Sequence, residues 1–216
     1  MRTRLLSVLA GLTLVIVNQQ AEAGYQFQFT NSAGVATNTF VVDQGSTIDI
    51  RVYLVQTSPD TGLSASGMDA AGTKLAFNQT IANVAGTGAI TANPAFDSAV
   101  KSTGTGTATL NVLQDSGGAP VTAPTSGADA NRVLIGTFTF TGVNAGSTTV
   151  TTSDPHTLSD DNVLHNGTVL DSMIANSSVA ITVNAVPEPG TLVLTGLFAA
   201  GLAAAGVRRL RRPAVG

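Results

Sequence analysis

Over residues 46–56 apolar and polar side chains alternate: Ile48, Ile50, Val52 and Leu54 share one side, and Asp49, Arg51 and Tyr53 the other. A period of two places alternate residues on opposite faces of an extended chain, so this segment predicts a half-buried β-strand. Further strands are predicted over 25–30, 39–42, 73–78, 107–114, 133–141, 148–152 and 178–183. Within 163–170 the dipeptide Asn166-Gly167 can take the positive φ values of a tight turn and predicts a hairpin. The Gly/Thr/Ala-rich stretches 85–91, 102–107 and 116–130 read as loops, the last as a long insertion. Roughly ten short strands separated by Gly, Pro, Asn and Asp predict an all-β fold, an antiparallel two-sheet, jelly-roll-like sandwich.

Both ends are apolar for reasons unrelated to core packing. Arg2 and Arg4, an apolar stretch over 5–17 and the small-x-small triplet Ala21-Glu22-Ala23 predict a signal peptide over 1–23, cut by signal peptidase to leave Gly24 first. At the other end, 187–216 begins Pro187-Glu188-Pro189. The uncharged run 191–207 follows, 17 residues or about 25 Å as a helix, which predicts a single C-terminal transmembrane helix. Arg208, Arg209, Arg211 and Arg212 then form a stop-transfer cluster on the cytoplasmic side.

What remains, 24–186, is 163 residues, enough for one domain with a core. It carries Arg51, Lys74, Lys101 and Arg132 against eleven aspartates, a formal charge of −7. A field of that sign repels phosphate backbones and argues against nucleic-acid binding. The chain has no cysteine although export implies an oxidising compartment, so packing or bound ions must supply stability.

Three segments resemble a cohesin-like module: Val41 to Val55, Thr73 to Asn78 (T-K-L-A-F-N) and Leu134 to Thr151, which holds a G-x-F-x-F strand before an Ala-Gly turn. The resemblance implies a sandwich related to carbohydrate-binding modules, with dockerin-like proteins or exopolysaccharide as partners. The tail, V-P-E-P-G-T before an apolar run and an arginine cluster, closely resembles the PEP-CTERM sorting signal of Gram-negative bacteria. That implies recognition by an exosortase, with Pro187, Glu188 and Pro189 the residues read. The two prolines suit such a role, since they hold the backbone extended outside the helix.

Candidates for chemistry are few. Asp115-Ser116-Gly117-Gly118-Ala119-Pro120 is similar to the surroundings of a trypsin-like serine, but His156 and His165 both follow the serine. Asp154, His156, Asp160, Asp161 and Asn162 crowd together, and hard oxygen ligands on one loop could hold Ca²⁺ through Asp154, Asp160 and Asp161. A calcium loop's D-x-D-x-D-G spacing is absent, and a solvated acidic turn is the competing expectation. Residues 24–186 hold no glutamate, so a glycosidase would need paired aspartates.

These readings converge on a non-enzymatic exported protein of the cell envelope or extracellular matrix, its sandwich a binding or structural module. The alternatives are a polysaccharide-binding module and a secreted hydrolase. Sugar platforms use exposed aromatic rings, yet tryptophan is absent and only Tyr25 and Tyr53 are on offer.

Overall fold

The computed structural model of the chain describes residues 24–57, 60–156, 160–186 and 197. Thirteen strands run in chain order: β1 (Tyr25–Thr30), β2 (Thr39–Asp43), β3 (Thr47–Gln56), β4 (Met68–Ala76), β5 (Ala82–Val84), β6 (Ile90–Ala92), β7 (Ser98–Gly104), β8 (Thr107–Leu113), β9 (Arg132–Gly142), β10 (Gly146–Ser153), β11 (Val163–Leu164), β12 (Ile174–Ala175) and β13 (Ser178–Asn184). A single helical turn, α1 (Gly62–Ala65), lies between β3 and β4.

The strands form two sheets packed face to face, the sandwich expected. One is ordered β12-β1-β3-β9-β5 with β6 also on β9; the other is β2-β13-β10-β4-β8-β7 with β11 also on β4. Most neighbours are antiparallel, but β1 with β12 and β2 with β13 run parallel, so both sheets are mixed. The parallel partners are early strands meeting late ones. Residues 31–38 carry the chain from one sheet to the other, which lays β2 beside the last strand instead of folding it back on β1.

The alternation over 46–56 does what it predicts. Ile50, Val52 and Leu54 are fully buried; within the same sheet Ile50 pairs with Phe138 of β9, Val52 with Gly136 and Leu54 with Val133. They face Leu75, Leu110, Val112, Val150 and Ile181 of the other sheet in one hydrophobic cluster. Each such side chain contributes roughly 1.5–3 kcal/mol on leaving water. Phe77 meets Phe140 edge to face at 5.0 Å, the favoured approach of two quadrupoles. On β10 the inward residues are Thr148, Val150 and Thr152. Their hydroxyls are satisfied, Thr148 Oγ1 accepting from the Asn78 amide at 2.9 Å and Thr152 Oγ1 from the Ser177 amide at 2.7 Å.

Three local expectations change. The stretch 85–91 is not all loop, since β6 begins at Ile90 and pairs with β9. Asn166-Gly167 does make a turn, but only Gly167 has positive φ (81°). The Gly167 amide donates to Leu164 O and the Leu164 amide to Thr168 O, a three-residue loop with glycine at the bulge position. The stretch 102–107 is not all loop, since β7 runs to Gly104. This strand is a sheet edge with nearly every side chain exposed, so no buried face imposes alternation.

Candidate functional site

The outer face of the first sheet carries the polar side of β3 and β9. Asp49 pairs in register with Thr139 and accepts its hydroxyl at 2.6 Å; Arg51 pairs with Thr137. Beyond them the register slips between Val52 and Tyr53, because Ile135 is an extra residue on β9. A bulge of this kind re-aims the side chains around it. Here it borders a shallow cleft of about 370 Å³ whose lining includes Arg51, Tyr53, Asn93, Pro124, Asp129 and Arg132.

Arg132 organises one wall. It is 7% exposed, and its guanidinium lies 4.3 Å over the Tyr53 ring. It donates to Gln28 Oε1 and to Gly34 O at 2.8 Å, and to Asp129 Oδ1 at 2.7 Å. The planar fork thus ties β1, the 31–38 crossover and the long 114–131 connection to one point. Asn93, also in the lining, donates from Nδ2 to Leu134 O at 2.8 Å. Gln56 anchors the neighbouring turn: Oε1 accepts from the Leu63 amide at 2.8 Å, and Nε2 donates to Ser64 Oγ at 2.9 Å. Arg51 also lines the cleft, and among the described residues it has no ion pair. Among the described residues, the cleft therefore offers the Arg51 guanidinium without an ion pair, the Asn93 amide and a wall stiffened by the buried Arg132.

Sequence reasoning missed Arg132, Asn93 and Gln56. The only signal for Arg132 was a lone arginine opening an apolar strand, and neither its partner Gln28 nor Gly34 lies within 90 positions of it.

The residues considered for catalysis do not assemble. Ser116 is exposed, His165 Nδ1 is 2.9 Å from Asp69 Oδ1, and His156 Nδ1 is 3.3 Å from Asp161 Oδ1. The acidic loop is tied down by its own carboxylates. Asp154 Oδ1 and Asp161 Oδ2 both accept the His156 amide, at 2.9 and 3.0 Å. Asp171 takes the Asp161 amide at 3.0 Å and Asn162 Nδ2 at 2.7 Å, while Asn162 Oδ1 accepts the Gly72 amide of β4 at 3.1 Å. Burial raises the Asp161 pKa; hydrogen bonding to His156 opposes the rise, and Asp154 adds to it. Asp160 is exposed. These contacts fasten Asp161 and Asn162 to Asp171 and to β4 of the second sheet, and among the described residues no group of three or more His, Cys, Asp or Glu side chains could hold a metal ion.

Tyr25 and Tyr53 are 3% and 4% exposed, one in the core and one beneath Arg132, so neither ring offers a face to a sugar. Gly24 opens the described chain; Ala21 and Ala23, the motif Pro187 to Pro189, the run 191–207 apart from Leu197, and Arg208, Arg209, Arg211 and Arg212 lie outside the described residues. No helix among the described residues is long and apolar enough to cross a membrane.

No protein-family model matches the chain. No curated protein matches it either. Among solved structures it is similar to the third cohesin of ScaC, solved in complex with the ScaB dockerin, from Acetivibrio cellulolyticus: 16% identity over 74% of this chain and 98% of that one, TM-score 0.45. A type II cohesin domain from the cellulosome of the same organism aligns at 9% identity over 73% of this chain and 94% of that one, TM-score 0.47. The second type II cohesin module of its ScaA scaffoldin gives 12%, 76% and 96%, TM-score 0.43.

Proposed function

We infer that the chain is an exported, non-enzymatic module of the Gram-negative cell envelope, delivered by a cleaved signal peptide and sorted by an exosortase acting on the tail. One observation carries the reading: the fold fills the interval between the two address signals. The first strand starts at Tyr25, two residues past Ala23, and the last ends at Asn184, three before Pro187. A sandwich so placed holds no residue of either address signal in its strands. The run 191–207 with its arginines is the transient membrane anchor.

The sandwich itself acts as a binding or structural module, with the cleft beside Arg51 and Arg132 the surface for a protein partner; a dockerin-like partner is what the sequence resemblance implies. The exopolysaccharide alternative is weakened by the two buried tyrosines. The test is expression in an exosortase-containing host and in the same host lacking the enzyme. A shorter envelope-located product in the first and a full-length membrane-bound precursor in the second is the expected result. Identical products in both hosts would remove exosortase sorting from the account.

A further inference from the structure

Gly24 is buried where its neighbours need nothing larger than hydrogen. Its carbonyl accepts the Thr57 amide at 2.8 Å, and the Asp60 amide donates to Thr57 O at 2.9 Å, so the chain after β3 folds back over the start of β1. The half-buried Asp60 carboxylate is brought onto Gly24 itself: a Cβ at this position would lie 1.8 Å from Asp60 Oδ2 and 2.8 Å from its Cγ. Since Cβ and the backbone nitrogen of one residue are about 2.5 Å apart, the Gly24 nitrogen stands within about 4.3 Å of that oxygen. Next to it, the Tyr25 hydroxyl fills the space a Cβ on Gly62 would need, 2.3 Å away.

We propose that the α-ammonium created when the chain is cut before Gly24 docks on the Asp60 carboxylate, so that removing the signal peptide completes the fold. This rests on cleavage after Ala23. Before the cut the nitrogen is a neutral amide with one hydrogen; afterwards it is a cation with three, a finger's breadth of chain from a carboxylate already in place. The peptidase reads the small residues at Ala21 and Ala23 and does not require glycine after the cut. The fold favours it, because a Cβ at position 24 would displace the Asp60 carboxylate from where it stands. Among the described residues, the charged and titratable groups around the terminus are then Asp60 and the Tyr25 phenol, whose own ionisation burial opposes first and the Asp60 charge second.

The experiment uses the chain 24–186, which holds the complete sandwich and its core, made to begin at Gly24. It is compared with the same chain acetylated at the terminus, each also as D60N. The expected result is non-additivity: D60N lowers the folding equilibrium constant of the free-terminus chain at least about threefold more than that of the acetylated chain. NMR titration of Gly24 reads the contact independently of folding. Its ammonium should titrate above the ordinary terminal range near 7.7–8.0 in the wild type and fall back in D60N. Equal D60N effects in both chains, or a Gly24 titration unmoved by D60N, would overturn the proposal. Cleavage is judged separately by the N-terminal mass of exported protein. There G24A should be cut at the same site yet yield a product less stable than wild type, whereas a wild-type N-terminus elsewhere would sink the cleavage reading alone.

Discussion

The Arg132 guanidinium stacks 4.3 Å over the ring of Tyr53, whose strand neighbour Arg51 opens to the same cleft. One arginine is a structural bolt and the other has no ion pair among the described residues, although both belong to the same stretch of sheet. The difference is set by the 114–131 connection, which brings Asp129 to Arg132.

Replacing Arg132 with alanine should cost about 2–4 kcal/mol, because Gln28, Gly34 and Asp129 all lose a charged partner at a site 7% exposed. D129N should cost only about 1 kcal/mol, since Asp129 is 53% exposed and Arg132 keeps its carbonyl acceptors. Urea unfolding of both variants checks the ranking. Equal losses would show that the ion pair, and not the buried hydrogen-bond network, holds the wall.

Gly136, beside the bulge, should tolerate no side chain. A Cβ there would meet Leu110 Cδ2 at 2.4 Å and Thr91 O at 2.5 Å, and the second is backbone held by the β6–β9 pairing. G136A is expected to lower stability by about 2–3 kcal/mol, measured by thermal or urea unfolding. A variant as stable as wild type would mean that β6 can leave β9 freely.

Asp161 gives a pH dependence with a definite sign. Its pKa is raised in the folded state, chiefly by burial, so the folded form holds its proton more tightly than the unfolded chain. The stabilisation this brings is complete below the ordinary carboxylate range and is lost as pH rises through the elevated value. Wild type should therefore compare best with D161N near pH 3 and less well near pH 7, after Asp154, His156 and Asp171 have been allowed for as its charged neighbours. Urea midpoints of the two proteins across that range provide the measurement, and a wild-type advantage that grows with pH would contradict it.

How much of this was legible follows from what each strand buries. The β3 alternation and the phenylalanines of β9 could be read because one face meets the core and the other water. The edge strand β7 could not, having no buried face, and β12 is two residues long. Parallel pairing of β2 with β13 depends on the path of the crossover and leaves no local trace. The cleft was hidden for a similar reason: Arg132 meets Gln28 across 104 positions, a distance no spacing rule spans.

On the proposed function, a folded sandwich sits between two processing signals. This claim is tested most directly by the intact mass of the protein recovered from the envelope of an exosortase-containing host, alongside a variant with Pro187, Glu188 and Pro189 changed to alanine. The wild-type product is predicted to begin at Gly24 and end near the Pro187 to Pro189 motif, without the arginines that follow. The variant is predicted to begin at the same residue but retain the tail through Gly216, since membrane insertion depends on the uncharged run and its arginines and not on the motif. Equal masses for the two, after allowance for the substitutions, would contradict the sorting half of the claim and reduce the C-terminus to a plain anchor.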